Sequence, residues 1–341
     1  MDWFEKITGF RETDYDDTRG KLVVEGRRLR SLINGRSYGI GELELVPLQV
    51  LRERARSGGG LPGRLKVRVV TGDVRKMHQA AENAGALFQV ASQFNLLEMV
   101  APTVSPEQGV TRYQDDHTQG PACAIAAGAA TIYRNYFATV DGNAGQTSER
   151  QFDGLEDIGN ALSSALNQPV KALWKMKNGY ALCSRNGLKA IAEHLKTLQP
   201  EQLDMLRGAL CIGIHRDVEV TDVESDHRPL VSQAFCSALP VAYSPVPSSY
   251  WEPFATLVLQ AAYEATMWAA VLNAQRGASN VVLLTNLGGG AFGNEAEWIH
   301  GAVLRALQMM SHFDLDVRLV SYGSPSRAIL RMAEKFTRFT S

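Results

Sequence analysis

Two adjacent carboxylates, Asp115 and Asp116, are the residues of this chain best suited to acid–base chemistry. They close a short loop that begins with a glycine turn at Gln108 and Gly109. Two carboxylates in one site repel each other, so their pKa values separate, and one can donate a proton while the other accepts one. The pair therefore predicts general acid–base catalysis at this loop. The alternative is a solvated acidic turn that caps a helix.

A glycine-rich segment that follows a buried apolar run is the second candidate site. Glycines let a backbone approach a ligand closely, and free amides at the start of a helix favour negative charge. The segment consists of Gly288, Gly289, Gly290, Ala291, Phe292 and Gly293, and a helix is predicted from 295 to about 310. This pattern predicts a diphosphate-binding loop.

The spacing of the glycines also fits the G-x-G-x-x-G pattern of dinucleotide-binding folds. That alternative needs a ribose-binding acid at the end of the next strand. The acids available, Asp314 and Asp316, lie before or at the start of the strand predicted over 316–322. We therefore disfavour a nicotinamide-dependent oxidoreductase.

The elements that must position these loops are predicted from hydrophobic patterns. Apolar runs indicate strands over 65–70, 86–91, 211–214, 231–243, 280–284 and 316–322. Asp73 and Val74 follow the first strand, and Asn95 follows the second. Apolar residues at helical spacing over 254–268 indicate a long helix packed on the sheet. Because ligands of open α/β sheets bind at the carboxyl ends of strands, these polar residues are site candidates.

Three further segments have open interpretations. His215, Arg216 and Asp217 form either a site at the end of a strand or a salt-linked strand end. The segment 131–137 is predicted as a strand or its edge. Gln151 and Asp153, at the start of a helix expected from about 150, fit capping better than catalysis.

The order of these motifs resembles that of a known family. A strand, then Gly72, Asp73 and Val74, then a second strand ending in Asn95 resemble the opening of a macrodomain, the fold that binds ADP-ribose. The loop 108–116 resembles the glycine-rich signature and Gln-Glu-Glu of poly(ADP-ribose) glycohydrolases, with one glycine in the turn and Asp in place of Glu. More loosely, the combination resembles the MavL type of bacterial effector ADP-ribosylhydrolase. The resemblance spans roughly residues 65–325.

The resemblance implies a three-layer α/β/α macrodomain-like fold with a mixed sheet. It also implies roles for the candidate residues. Asp73 with Val74 would recognise adenine, and Tyr322 would pack against the adenine ring. Asn95 would bind the distal ribose, and the segment 288–293 would bind the diphosphate. Gly109, Asp115 and Asp116 would lie at the reacting end of the ligand. The implied activity is removal of ADP-ribose from an ADP-ribosylated protein, with a non-catalytic ADP-ribose reader as the alternative. The effector resemblance alone suggests ubiquitin as such a protein.

Composition excludes several other classes. A net charge of −1 over 341 residues argues against a general nucleic-acid binder. The cysteines, Cys123, Cys183, Cys211 and Cys236, show no C-x-x-C spacing, so neither a metal site nor a disulfide framework is predicted, and no cofactor is expected. No signal peptide and no run of about 18 apolar residues is visible, which predicts no membrane partner and a cytoplasmic location by default, with delivery into a host cell left open.

The chain is longer than one macrodomain requires, so additions are expected. Residues 1–64 are predicted to form an N-terminal extension, ended by the glycine-rich link 57–63. Between 21 and 64, nine basic residues face four acidic ones, which indicates a solvated basic face or a surface for an acidic partner. Residues 65–341 form the macrodomain-like domain, with an insertion near 141–210 that includes a hairpin at Asn178 and Gly179.

Overall fold

The computed structural model describes residues 1–223 and 227–338. Its strands, in chain order, are β1 (Leu22–Glu25), β2 (Arg28–Ser31), β3 (Ser37–Gly39), β4 (Glu42–Pro47), β5 (Lys66–Thr71), β6 (Leu87–Ala91), β7 (Thr139–Val140), β8 (Asn143–Ala144), β9 (Trp174–Lys177), β10 (Tyr180–Cys183), β11 (Cys211–Glu219), β12 (Leu230–Cys236), β13 (Val281–Leu284) and β14 (Asp316–Ser321). The predicted strands 65–70, 86–91, 280–284 and 316–322 are therefore confirmed to within two residues at each end.

The helices lie mainly between these strands. They are α1 (Trp3–Thr8), α2 (Tyr15–Gly20), α3 (Leu48–Ser57), α4 (Val74–Gln79), α5 (Gln119–Ala126), α6 (Gly128–Tyr136), α7 (Glu156–Leu166), α8 (Val170–Leu173), α9 (Arg185–Thr197), α10 (Pro200–Gly208), α11 (Ser248–Gln275), α12 (Ala296–Met309) and α13 (Arg327–Arg338). The long helix predicted over 254–268 is α11. The hairpin predicted at Asn178 and Gly179 joins β9 to β10.

One mixed sheet organises the chain, with the strand order β4-β11-β12-β6-β13-β14-β5. β12, β6, β13, β14 and β5 run parallel, whereas β11 is antiparallel to both of its neighbours. The carboxyl ends of the parallel strands therefore meet at one edge of the sheet. The predicted α/β fold with a mixed sheet is confirmed.

Helices cover both faces of the sheet. Leu87 and Val282 point to the face that α3, α11 and α12 cover. Phe88 and Leu283, the next residues along the same strands, point to the face that α4, α5 and α6 cover. Successive side chains of a strand alternate between its faces, so each buried strand contributes to two apolar cores. This arrangement gives the three predicted layers.

The predicted extension and insertion do not stand apart from this fold. β4 forms one edge of the central sheet, and α3 packs on α11, so residues 42–57 belong to the main fold. Within 141–210, Ile158, Leu173 and Leu188 are buried in the same core as α11. Residues 1–40 form a second core against α6, to which Phe4 and Leu29 contribute.

The strand predicted over 131–137 is wrong, because this segment lies within and just after α6. Its β-branched and aromatic residues, which favour strands, are placed by tertiary packing instead. Ile132 and Tyr136, four residues apart, share one helix face and pack into the N-terminal core. The helix predicted to start near 150 begins later, at Glu156.

Among the described residues, α11 is long and apolar enough to cross a membrane by length and composition alone. Of its most apolar 18-residue window, 83% is buried inside the protein. The core helix of a globular protein has the same properties. Among the polar side chains that α11 carries into this interior is that of Glu264, which is fully buried.

Glu264 joins helices across this layer. Arg52 of α3 donates through Nε to its Oε1 at 2.6 Å, and Arg305 of α12 donates through Nη1 to its Oε2 at 2.6 Å. Trp268 donates through its indole nitrogen to Oε1 at 3.2 Å. Arg52 also pairs with Asp204 of α10 at 2.8 Å. One carboxylate thus compensates two largely buried arginines on different helices.

We expect Glu264→Gln to lower the free energy of unfolding by about 3 kcal/mol, because it leaves Arg52 and Arg305 without their buried countercharge. Urea denaturation followed by circular dichroism measures this loss. Glu193→Gln is the matched control, since Glu193 is 65% exposed and its pair with Lys189 is 3.9 Å long. It should cost at most about 0.5 kcal/mol. Equal losses in the two variants would contradict the bridging role of Glu264.

Candidate functional site

A cavity of about 310 Å³ opens where β6 and β13 end. Its lining comes from 91–93 and 98–100 after β6, from 116 and 118–121 at the start of α5, from 285–288 and 290–292 after β13, and from Tyr180, Ala238 and Tyr243. The volume is that of a small-molecule site. Its place at the carboxyl ends of parallel strands is where open α/β sheets bind ligands.

The structure brings part of the predicted site to this cavity. The predicted residues that line it are Asp116, Gly288, Gly290, Ala291 and Phe292. The predicted residues outside its lining are Asp73, Val74, Asn95, Gly109, Asp115, Gly289, Gly293 and Tyr322. The acidic loop and the glycine-rich loop, far apart in sequence, therefore both contribute to this cavity, although not through all of their residues.

The two adjacent acids have different surroundings. Asp115 is exposed at the end of a short 3₁₀ turn over Thr111–Asp115 and does not line the cavity. Asp116 is partly buried and lines the cavity, and its Oδ1 accepts the Thr118 amide at 2.8 Å just before α5. Asp116 thus both faces the cavity and stabilises the turn into the helix. The structure does not place the two carboxylates in one site.

The glycine-rich loop is shaped by its own hydrogen bonds. The Gly293 amide donates to the Gly290 carbonyl at 3.0 Å, and the Asn294 amide donates to the Gly288 carbonyl at 2.9 Å. Gly288 has φ +74, and a Cβ on it would lie 2.4 Å from the Cβ of Ala238. A Cβ built on Gly290 would meet no atom within 4 Å. Gly288 is therefore needed for close packing, whereas Gly290 faces open space.

The helix that starts in the cavity lining is α5, not α12. The glycine-rich loop ends before Glu295, the residue that precedes α12, and Glu297 lies in the first turn of that helix. The negative charges of Glu295 and Glu297 would repel an anion at the start of α12. By contrast, Gln119 and Gly120, the first residues of α5, line the cavity. The start of the helix predicted to hold the diphosphate, α12, therefore does not line the cavity, whereas the start of α5, which was not predicted for this role, does.

Asn95 lies behind the cavity instead of in it. Its side chain is fully buried, and its Nδ2 donates to Gln151 at 2.8 Å. Its Oδ1 accepts the Leu97 amide at 3.1 Å. Both ends of the amide thus hold the loop after β6, a geometry that does not support contact with a ribose. Gln93 and Glu98 of the same loop reach the cavity.

The residues predicted for adenine also lie away from the cavity lining. Asp73 is the N-cap of α4 and accepts the Arg75 amide at 2.8 Å, while Val74 is buried in the core. Tyr322 is 83% exposed. These residues follow β5 and β14, and β14 separates β5 from β13 in the sheet. Strand order thus keeps Asp73 two strands away from the glycine-rich loop.

Glu98 is a cavity residue that the sequence analysis missed. Its side chain is 2% exposed, and Arg134 Nη2 lies 3.2 and 3.3 Å from its two oxygens. Burial raises the pKa of Glu98 to about 7, although the nearby Arg134 charge acts in the opposite direction. The signal available in the sequence was a single acid within the apolar run 96–100.

Aromatic rings form one side of the cavity. Tyr180 lies 5.1 Å from Tyr243 and 5.3 Å from Phe292, measured between ring centroids, and Tyr243 lies 5.6 Å from Phe292. The Tyr180 hydroxyl donates to the Met99 carbonyl at 2.5 Å. Sequence reasoning identified only Phe292 of the three, because the rings come from a hairpin, a turn and a loop that only folding brings together.

The alternative of a salt-linked strand is confirmed for 215–217. Arg216 pairs with Glu44 at 3.4 Å, and Asp217 pairs with Arg276 at 2.8 Å. His215 is fully buried inside β11, and burial together with the Arg134 charge lowers its pKa to about 3. These residues lie within a strand that runs antiparallel to its neighbours, so they do not reach the cavity edge.

The capping interpretation also fits Asp153, whose Oδ1 accepts the Leu155 amide at 2.8 Å near the start of α7. Burial raises the pKa of this carboxyl to about 6. Within 1–223 and 227–338, the structure shows no group of three or more His, Cys, Asp or Glu side chains that could hold a metal ion.

Comparison with known proteins gives matches in structure alone. No protein-family model and no curated protein sequence matches the chain. Poly(ADP-ribose) glycohydrolase from Deinococcus radiodurans, in complex with ADP-ribose, has a TM-score of 0.44 at 11% identity, over 87% of this chain and 94% of that one. The enzyme from Thermomonospora curvata has a TM-score of 0.43 at 13% identity, over 92% and 93%. TM-scores below 0.5 do not establish a shared activity.

The start of the acidic loop is clamped by the N-terminal segment. Glu12 accepts the amides of Val110 at 2.9 Å and Thr111 at 2.7 Å, and the Tyr136 hydroxyl donates to it at 2.8 Å. Gly109 has φ +78, and a Cβ there would lie 2.4 Å from the Glu12 carboxyl group. The role of Gly109 is therefore to let the loop close over Glu12.

We expect Gly109→Ala to destabilise the protein more than Gly142→Ala. The two glycines have φ +78 and +75, so an alanine should cost each about 1 kcal/mol in backbone strain. At Gly142 a Cβ meets no atom within 4 Å, whereas at Gly109 it meets Glu12, which should add about 1 kcal/mol. Urea denaturation measures both losses. Equal losses would show that Glu12 does not clamp the loop.

Proposed function

We propose that this protein hydrolyses the bond between ADP-ribose and a modified protein side chain. The observation that carries the proposal is the meeting, in one cavity, of the glycine-rich loop 288–292 with two carboxyl groups, those of Asp116 and Glu98. The glycine-rich loop suits a diphosphate, and the two acids suit acid–base chemistry on a sugar. ADP-ribose carries both of these groups.

The diphosphate would lie between the loop and the start of α5. Gly290 leaves room for phosphate oxygens, and the α5 amides near Gln119 and Gly120 favour negative charge. The rings of Tyr180 and Phe292 offer an apolar surface on which a ribose can pack. The distal ribose would then reach the carboxyl groups.

Cleavage of a glycosidic bond requires a proton for the leaving group and a base or charge that handles water. Asp116 is partly exposed in the cavity, so its carboxylate can contact both a bound sugar and solvent water. The resemblance of the loop 108–116 to the poly(ADP-ribose) glycohydrolase signature supports the same chemistry. The partner would be an ADP-ribosylated protein, with ubiquitin suggested by resemblance alone.

A non-catalytic ADP-ribose reader is the second candidate. The observation that favours it is the hydrogen bond from the Thr118 amide to Asp116, since this acid would be useful as a helix cap even without catalysis. The surroundings of Asp316 give a further argument against the alternative of a nicotinamide-dependent oxidoreductase. Asp316 lies at the start of β14 and pairs with Arg68 and Arg318, so it is not a ribose ligand at the end of that strand.

ADP-ribose should bind more tightly than AMP or NAD, because the cavity would hold the diphosphate and the free distal ribose together. Isothermal titration calorimetry measures the three affinities. NAD binding as tightly as ADP-ribose would favour the dinucleotide alternative.

Gly290→Val should abolish ADP-ribose binding and leave the fold intact, because its side chain would extend into open cavity space. Gly301→Val on the exposed face of α12 is the matched control, since a Cβ there also meets no atom within 4 Å. Calorimetry should show unchanged affinity for the control. Retained binding in Gly290→Val would place the diphosphate elsewhere.

Asp116→Asn should reduce turnover by about 10²–10⁴-fold, the usual contribution of acid–base catalysis. Its affinity for ADP-ribose should change by no more than about fivefold, since one hydrogen bond is worth on the order of 1 kcal/mol. Chromatographic detection of ADP-ribose released from modified proteins measures turnover. Asp141→Asn, in the exposed turn between β7 and β8, is the control. Binding without release from any arginine-, serine- or glutamate-linked substrate would favour the reader.

A further inference from the structure

The geometry points to Glu98 as the catalytic acid of the proposed hydrolase, the group that protonates the departing protein side chain. This inference rests on the proposed function and deepens it. The sequence predicts both catalytic carboxylates in the loop 108–116, whereas the structure places Asp115 outside the cavity and Glu98 in its lining. The acid and the base would therefore come from two separate loops.

The backbone around Glu98 is fixed before any ligand binds. The Glu98 amide donates to the Tyr113 hydroxyl at 3.1 Å, and the next amide, that of Met99, donates to Gln93 Oε1 at 2.7 Å. Asn95 holds the preceding turn through the Leu97 amide at 3.1 Å. These bonds fix the loop that places Glu98 in the cavity lining. A general acid needs such fixed placement near the bond that it protonates.

Among the described residues, three titratable or charged groups act on Glu98 from the elements packed against it, and a fourth shares the cavity lining with it. They are Arg134 on α6, Tyr113 in the 3₁₀ turn, Cys123 on α5 and Asp116 on the cavity lining. Burial raises the pKa values of Tyr113 and Cys123 well above their ordinary ranges, so both are neutral at pH 7. Arg134 is therefore the cation in this group that can hold Glu98 ionised.

Arg134 favours the ionised form of Glu98 only weakly, because its guanidinium group also interacts with other groups. Its Nε donates to the Leu96 carbonyl at 3.0 Å, its guanidinium lies 3.9 Å over the Phe235 ring, and its contacts to Glu98 are 3.2 and 3.3 Å long. Burial consequently prevails and raises the pKa of Glu98 to about 7. A substantial fraction of Glu98 thus carries a proton at neutral pH, as a general acid requires.

In the proposed step, the bond between the anomeric carbon of the distal ribose and the protein atom breaks, and its electron pair leaves with the protein atom. Glu98 gives its proton to that atom. A water oxygen bonds to the anomeric carbon, and the proton of the water passes to Asp116. Solvent returns this proton to Glu98. The products are free ADP-ribose and the unmodified side chain, and no other reactant is needed.

The inference is tested with two synthetic substrates that differ only in the leaving group, phenyl ADP-ribose and 4-nitrophenyl ADP-ribose. Phenolate needs a proton as it leaves, whereas nitrophenolate leaves readily without one. Glu98→Gln should lower kcat for the phenyl substrate by about 10²–10⁴-fold and for the nitrophenyl substrate by less than about tenfold. Asp116→Asn should lower both equally, because each reaction uses water. Glu193→Gln, on the surface of α9, should change neither.

The pH dependence gives a readout that a purely structural role would not produce. A general acid acts in its protonated form, so the kcat of the wild-type protein should fall tenfold per pH unit above about pH 7, the pKa of Glu98. This fall should disappear in Glu98→Gln. Arg134→Gln removes the positive charge that opposes protonation of Glu98, so it should move the fall in kcat to higher pH. It provides the test if Glu98→Gln does not fold, which circular dichroism would show.

Three outcomes would overturn the inference and leave the proposed function standing, and a fourth would overturn both. Equal losses of Glu98→Gln on both substrates, or loss of ADP-ribose binding in this variant, would make Glu98 a structural part of the cavity. A wild-type pH profile that persists in Glu98→Gln would place the acid elsewhere. In these cases the wild-type protein still releases ADP-ribose and the proposed function stands. A wild-type protein that binds ADP-ribose but cleaves neither substrate nor any modified protein would overturn the hydrolase and this inference together.

Discussion

The contact between Arg134 and Glu98 joins the parts of the structure on which the cavity depends. Arg134 belongs to α6, lies over Phe235 of β12 and donates to the backbone at Leu96, in the loop after β6. Both charged groups are almost fully buried. Burying an ion pair costs desolvation that its mutual attraction does not always offset, so such a pair is weak support for stability alone. Here the pair fixes Glu98, a residue of the cavity lining, to α6.

The first 40 residues also help to position the loops around the cavity. The N-terminal segment packs on the outer face of α6, and Glu12 accepts the two amides that follow Gly109. The acidic loop is thus anchored at its beginning by Glu12 and at its end by the start of α5. Residues 42–57 supply an edge strand of the central sheet. The segment that looked separable in sequence is part of what gives the site its shape.

Glu98 and Asp116, the two acids of the cavity lining, differ in their exposure to solvent. The proposed roles of acid and base depend on this difference. Glu98 lies in the protein interior, where burial favours its neutral form against the nearby Arg134 charge, and Asp116 lies at a partly exposed position beside a backbone amide. Adjacency in sequence, which first drew attention to Asp115 and Asp116, does not produce this arrangement. Consecutive residues in a tight turn point in different directions, and one of the pair faces solvent.

The sequence by itself determined the elements with strong local patterns. The apolar runs of β5, β6, β13 and β14, the Asn178-Gly179 turn and the helical stripe of α11 depend on periodicity and turn chemistry, which a short window contains. The glycine-rich loop and the position of Asp116 were found in the same way. Only the tertiary structure decided that 128–136 is helical, that Asn95 is buried and that Glu98 faces the cavity. Each of these depends on contacts with residues distant in the chain, and the energy of burying a side chain exceeds local preference.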